Sequence, residues 1–230
     1  MRRHMLSFLV LLGMAAATAA QAAPTLSVQV YEDGVLQTGL SSSSGTGTLI
    51  LSGSTPNFLV NAFVSGIPTV AAPSLVGQTT AISTATGFTG SHTIRLLLTQ
   101  TDVPSASAGG LFASLANTLT ANLLVSGYLI TGTTLENYAD NSNTAFGMAT
   151  LLASQGFTDP GGATPAIVSN LALTGALFSE TMVITATFNG GGAALNTSSQ
   201  IIAVPEPASL ALFGTALLGF GLVQRSRRRR

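Results

Sequence analysis

Through the middle of this chain, apolar and polar residues alternate over short stretches, the period of a β-strand with one buried face. Thr25 to Tyr31 alternates cleanly and meets a turn signal at Glu32-Asp33-Gly34. Gly39 to Gly47, with its run of serines, reads as a loop ahead of a strand at Thr48-Leu49-Ile50-Leu51. Asn57 to Val64 and Leu75 to Ser83 follow as strands, punctuated by Gly66-Ile67-Pro68 and Ala72-Pro73. Ser91 to Gln100 is the best core strand, with Ile94, Leu96 and Leu98 on one face, Arg95 and Leu97 on the other, and Asp102-Val103-Pro104 closing it. Leu111 to Leu119 admits a short helix, whereas Thr118 to Thr133 favours strand around Gly127. Pro160, Gly161, Gly162 and Pro165 frame a loop, and Thr181 to Phe188 alternates again before Asn189 to Gly192 ends it. Short strands separated by turn signals, with few helix caps, predict an all-β domain: an antiparallel β-sandwich, jelly-roll-like. A β-solenoid is the alternative, but no fixed repeat supports it.

The alternation stops at both ends. Arg2 and Arg3 precede an apolar run from Met5 to about Ala17, and small residues follow, ending Ala20-Gln21-Ala22-Ala23. Basic, apolar and small segments in that order make a secretory signal peptide over 1–22, with Ala20 and Ala22 placed for signal peptidase to cut after Ala22. The apolar run falls short of the ~20 residues of a spanning helix, which opposes an uncleaved anchor. At the other end, 208–223 carries no charge. At 1.5 Å per residue it makes a transmembrane helix of roughly 24 Å against a hydrocarbon core of about 30 Å. Pro207 at the first helical position and snorkelling arginines cover the shortfall. In the tail 224–230, Arg225, Arg227, Arg228, Arg229 and Arg230 form a stop-transfer cluster that holds this end in the cytoplasm. A buried core helix with a basic tail is the competing reading, and the arginines oppose it. The domain between, 23–203, then lies on the far side of the membrane from the cytoplasm. Val204 and Glu206 each precede a proline and are driven to extended or polyproline conformation. Residues 204–207 therefore form a stiff peptide just outside the membrane, which a membrane enzyme can grip at little ordering cost.

Val204-Pro205-Glu206-Pro207-Ala208-Ser209, the glycine-containing apolar helix and the terminal arginines together resemble the PEP-CTERM sorting signal of Gram-negative bacteria. The segment is also called an ice-binding protein C-terminal domain, a name that does not show ice binding. The resemblance implies that exosortase, an integral-membrane enzyme like a cysteine peptidase, recognises Val204, Pro205, Glu206 and Pro207 and removes the helix and tail. It implies a precursor anchored in the inner membrane, then a protein of the cell surface or extracellular matrix. The role implied is structural or adhesive, in association with exopolysaccharide or biofilm. The domain itself is similar to a recurring PEP-CTERM ectodomain type through Val30-Tyr31-Glu32-Asp33-Gly34, His92-Thr93-Ile94-Arg95-Leu96, Tyr138-Ala139-Asp140-Asn141-Ser142-Asn143 and Met182-Val183-Ile184-Thr185. That likeness implies no particular biochemical activity.

Composition changes the picture in two ways. The chain is formally neutral, yet Arg95 is the only basic residue outside the two ends other than histidine. Glu32, Asp33, Asp102, Glu136, Asp140, Asp159 and Glu180 stand against it, so the central domain is acidic. With no lysine, it has nothing to neutralise phosphates, which excludes nucleic-acid binding. Cysteine is absent, so an exported domain must be stabilised by burial rather than disulfides. Ser, Thr, Asn and Gly supply most of the polar surface, as in adhesive or matrix proteins.

Candidate chemistry is thin. His92 is the only histidine after the leader and shares a face with Ile94, the place of a packed or edge histidine. Without cysteine or lysine, nucleophilic schemes lack a base, zinc lacks its favoured ligands, and no hydrolase elbow or phosphate loop occurs. Paired carboxylates could hydrolyse glycosides, but no tryptophan platform accompanies them. No catalytic residue and no obligatory cofactor is expected. Glu136, Asp140, Asn141 and Asn143 offer hard oxygen ligands for calcium, without the glycine and distal glutamate of an EF-hand, and an Asx-turn network is the plainer reading. The alternative to a structural role is thus a calcium- or carbohydrate-binding module. Ice binding comes third: Thr-x-Thr pairs at 46/48, 84/86, 131/133 and 185/187 form no regular ladder.

Overall fold

The computed structural model describes residues 23–124, 129–157, 162–163 and 167–204. The signal peptide, Pro205, Glu206, Pro207, the apolar helix and the arginine tail of the sequence reading lie outside these residues. Among the described residues no helix is long and apolar enough to cross a membrane.

The strands are β1 (Thr25–Glu32), β2 (Val35–Leu36), β3 (Ser42–Ser44), β4 (Thr48–Ser54), β5 (Phe58–Gly66), β6 (Ser74–Thr84) and β7 (His92–Pro104). They continue as β8 (Phe112–Leu123), β9 (Ile130–Asp140), β10 (Thr150–Phe157), β11 (Gly162–Ala163), β12 (Ile167–Ala172), β13 (Leu177–Phe188) and β14 (Ala194–Ala203). Sheet A runs β10-β9-β13-β7-β1-β2, with β3 also beside β1. Sheet B runs β11-β8-β14-β6-β5-β4, with β12 also beside β8. Every ladder is antiparallel. The fold is an antiparallel β-sandwich, and the solenoid alternative is excluded.

Alternation decides which face each strand buries. Leu26, Val28 and Val30 of β1, Ile94, Leu96 and Leu98 of β7, and Met182, Ile184, Ala186 and Phe188 of β13 line the inner face of sheet A. They meet Val60, Ala62 and Val64 of β5, Leu115 and Leu119 of β8, and Leu195 and Ile201 of β14. Phe58 is fully buried, with edge-on ring contacts to Phe88 and Phe188.

Three local readings are corrected. The helix admitted over Leu111 to Leu119 is strand β8: Ala113, Leu115, Leu119, Ala121 and Leu123 are buried at period two, which a helix could not place on one face. The serine loop contains strand β3, where Ser42–Ser44 pairs with Val28, Ser27 and Leu26; exposed backbone at the sheet edge recruits serines despite their low strand preference. The strand read to end at Gln100 runs on to Pro104 through a β-bulge, where Asp102 adopts φ 58° and adds a residue against β13.

The ends of the sandwich differ. Thr25 pairs with Thr101 near the close of β7, and Ala203 donates its N–H to Pro73 O (2.7 Å), beside the turn 105–108 that follows β7. The domain therefore begins and ends at one pole. At the opposite pole β1 ends, β7 starts, and the Ala193 carbonyl at the head of β14 bonds Thr84 N–H.

Candidate functional site

The inward register of β1 does not stop at Val30. One more step of two residues brings Glu32 to the same face, only 6% exposed, at the mouth of the sandwich. The next residue, Asp33, opens the tight turn to β2 with φ 49°. Its backbone N–H bonds Thr93 O (2.8 Å), which ties the turn to the neighbouring strand. On that strand His92 shares the inward parity of Ile94 and Leu96. Its ring packs edge-on against Phe88, with centroids 5.3 Å apart. Two strands in fixed register thus bring together three residues separated widely in sequence.

One ligand-type atom from each of Glu32, Asp33 and His92 lies within 4.8 Å of the others. Asp33 Oδ2 is 2.7 Å from His92 Nδ1, and Asp33 Oδ1 accepts from Thr93 N–H (2.8 Å). His92 Nε2 lies 3.1 Å from Thr89 O. A carbonyl only accepts, so Nε2 carries a proton and Nδ1 is the nitrogen turned to the carboxylates. Glu32 Oε1 accepts from Asn57 Nδ2, in the turn between β4 and β5, while Oε2 is buried with no hydrogen-bond partner. The hydrogen bond from His92, and then that from Thr93 N–H, holds the Asp33 carboxyl below its usual range. The same Asp33 contact raises the His92 imidazole.

The sequence reading placed Glu32-Asp33 at a turn signal and read His92 as a packed or edge histidine. The turn is there, but Glu32 is buried and the three residues converge. The available signal was parity: Glu32 continues Leu26, Val28, Val30, and His92 precedes Ile94, Leu96, Leu98.

Of the four oxygen-rich candidates, Asp140, Asn141 and Asn143 share the turn after β9, where Asn143 N–H bonds Asp140 O (3.2 Å), and each side chain has its own partners. Glu136, in mid-β9, accepts from Tyr138 OH (3.1 Å), and Ser154 Oγ lies 3.4 Å away. Asp140 Oδ1 accepts from Ser142 N–H and Oγ (2.8 and 2.7 Å), the Asx-turn arrangement. Asn141 Nδ2 donates to Ala172 O (2.9 Å). Asn143 exchanges two bonds with Asp102, its Nδ2 donating to Oδ1 (2.8 Å) and its Oδ1 accepting from Asp102 N–H (2.7 Å). The Thr-x-Thr pairs are spread over both sheets: Thr46 precedes β4, Thr84 ends β6, and the others lie in β9 and β13.

Of the sorting-motif residues, Val204 is described. It leaves β14 with its N–H donated to Ser114 O (2.7 Å) and its side chain partly exposed. The motif therefore starts where sheet B stops, with no intervening loop. Pro205, Glu206, Pro207, Ala20, Ala22, Arg225, Arg227, Arg228, Arg229 and Arg230 lie outside the described residues.

No curated protein matches this chain in sequence. Among solved structures it is similar to the PA14 sugar-binding domain from an RTX adhesin, at 14% identity and TM-score 0.28, over 48% of this chain and 46% of that one. The chain thus spans under half of that structure. It is similar to a cleaved adhesin domain of the Lys-gingipain of Porphyromonas gingivalis, at 15% identity and TM-score 0.36, over 70% of this chain and 99% of that one. A third likeness is to carbohydrate-binding modules of the β-sandwich superfamily, at 14% identity and TM-score 0.31, over 77% and 74% of the two chains. Residues 203–229 match the PEP-CTERM protein-sorting motif, so the chain carries a sorting segment that implies export, a membrane-anchored precursor and processing by an exosortase.

Proposed function

We propose that this is a non-catalytic, structural or adhesive protein of the cell surface or extracellular matrix, released to its place by exosortase processing and associated there with exopolysaccharide. The observation that carries the reading is the sorting segment at 203–229, beginning at the last residue of β14. Because both ends of the domain leave from one pole, a helix following Pro207 would hold that pole against the membrane and turn the Glu32–His92 pole outward. A disulfide-free sandwich with few charges and many hydroxyls suits a role in a hydrated polymer matrix. Replacing Pro205, Glu206 and Pro207 by alanine should leave an uncleaved form in the inner membrane and empty the surface fraction. An unchanged mature mass after that replacement would overturn the reading.

A second reading, glycan binding, is favoured by the outer face of sheet B. Phe63 is exposed there on the rim of a shallow depression lined also by Ser65, Gly77, Thr79, Ser198 and Gln200, with Ile50 exposed opposite it on β4. Hydroxyl and amide groups around an apolar platform can hydrogen-bond and stack on a sugar. Phe63→Ala should then abolish retention on the exopolysaccharide of the producing strain; equal retention of both proteins rejects this face.

A further inference from the structure

At the outward pole, each of Glu32, Asp33 and His92 has one heteroatom tied back to the protein, and the other has no hydrogen bond outside the cluster. Asn57 holds Glu32 Oε1, Thr93 N–H holds Asp33 Oδ1, and Thr89 O faces His92 Nε2. Such outer contacts orient metal ligands and fix the imidazole tautomer. The cluster is also short of positive charge. Two carboxylates face one imidazole, and the arginine of the central domain, Arg95, sits elsewhere with Nη2 on Met148 Sδ (3.7 Å). Glu32 is more than nine-tenths buried and keeps Oε2 without a hydrogen bond, a cost that an unfilled ligand position explains.

We propose that Glu32, Asp33 and His92 form a binding site for a divalent transition-metal ion, zinc foremost, that clips the β1–β2 turn to the start of β7. Zinc takes nitrogen and carboxylate oxygen at about 2.0–2.2 Å, which sets neighbouring ligand atoms about 3–3.5 Å apart. The 2.7 Å between Asp33 Oδ2 and His92 Nδ1, and the 4.8 Å limit across the three, bracket that spacing. The ion replaces the hydrogen bond between Asp33 and His92, and any proton on Nδ1 leaves to solvent. Water completes the coordination from the side of Asp33, whose side chain is about half exposed. The imidazole selects against calcium and magnesium, which take oxygen ligands. The site differs in place and chemistry from the oxygen-rich group around Asp140.

The test uses the full-length chain, without an affinity tag, purified in detergent and stripped with a chelator. Calorimetric titration with zinc chloride should show a single site and a raised Tm, with calcium chloride at least about tenfold weaker. His92→Gln and Asp33→Asn should each weaken zinc binding by at least about tenfold. No zinc binding below about 1 mM, an affinity unchanged in both variants, or an equal response to calcium overturns the proposal. Should either variant fail to fold, cobalt(II) on the wild-type chain decides: a visible absorption band displaced by zinc supports the site, and a featureless spectrum rejects it.

Discussion

Glu180 sits in β13 opposite Gln100, fully buried, with neither carboxyl oxygen hydrogen-bonded and Gln100 Oε1 also without a partner. Burial pushes its carboxyl up to about 8, against an ordinary value of 4.5. The folded state thus holds a proton that the unfolded chain has released above about pH 4.5. This contribution to stability is complete below that pH and is lost as pH rises through about 8. Glu180→Gln should flatten the decline and leave the variant more stable than wild type at about pH 8, read from urea unfolding at both ends of the window. Equal pH dependence in the two proteins would show that another group governs it. Residues of this kind are hard to find by reading along the chain. Glu180 shares the inward parity of Phe178, Met182 and Ile184, but a carboxylate at that position reads along the chain as the polar end of the strand. Glu32 and His92 kept their parity in plain view, but only the pairing of β1 with β7 shows that they meet. Glu136, Asp140, Asn141 and Asn143 are near in sequence, yet each finishes on its own partner.

At the level of elements, period two was enough to place β1, β4, β5, β6, β7 and β13, because each has one apolar face and a turn residue at its ends. It was not enough where pairing rather than burial makes the strand, as in β3, or where a buried polar residue and outward apolar ones break the alternation, as Asn117, Phe112 and Ala116 do in β8. The bulge in β7 shows how a loop can fix a strand. Asp102 and Asn143, both with positive φ, lock together by their two reciprocal bonds. Ser179 Oγ adds a bond to Thr144 O (2.8 Å). The loop 141–149 thereby lies over the outer face of sheet A, where Thr181 and Val183 are buried. Gly147 permits this close passage, since a Cβ there would fall 2.1 Å from Asp140 Oδ2. Asn143→Gly keeps the left-handed backbone while deleting both bonds to Asp102, so it isolates the lock. A loss of about 1–3 kcal/mol is expected in urea unfolding, with faster amide exchange in the last turn of β7. An unchanged midpoint would mean that the loop contributes nothing to the strand it covers.

For the whole molecule, the order of parts matters more than any one site. A sandwich whose first and last strands open on the same pole, and whose last strand runs into a sorting segment, suits the proposed presentation from a membrane before processing. Nearly all of the arginine lies in the segments that processing would remove, so the nominally neutral precursor would yield an acidic product. The sorting segment was legible in the sequence because such a segment acts as a peptide and needs no tertiary contacts, whereas the work of the domain depends on faces that only folding assembles. The most direct test is the intact mass of the protein recovered from the surface or medium of the producing cells. The account predicts a chain that starts at Ala23, ends within or just before the Pro205–Pro207 motif, and lacks 208–230. A recovered protein that retains the apolar segment and its arginines would contradict it.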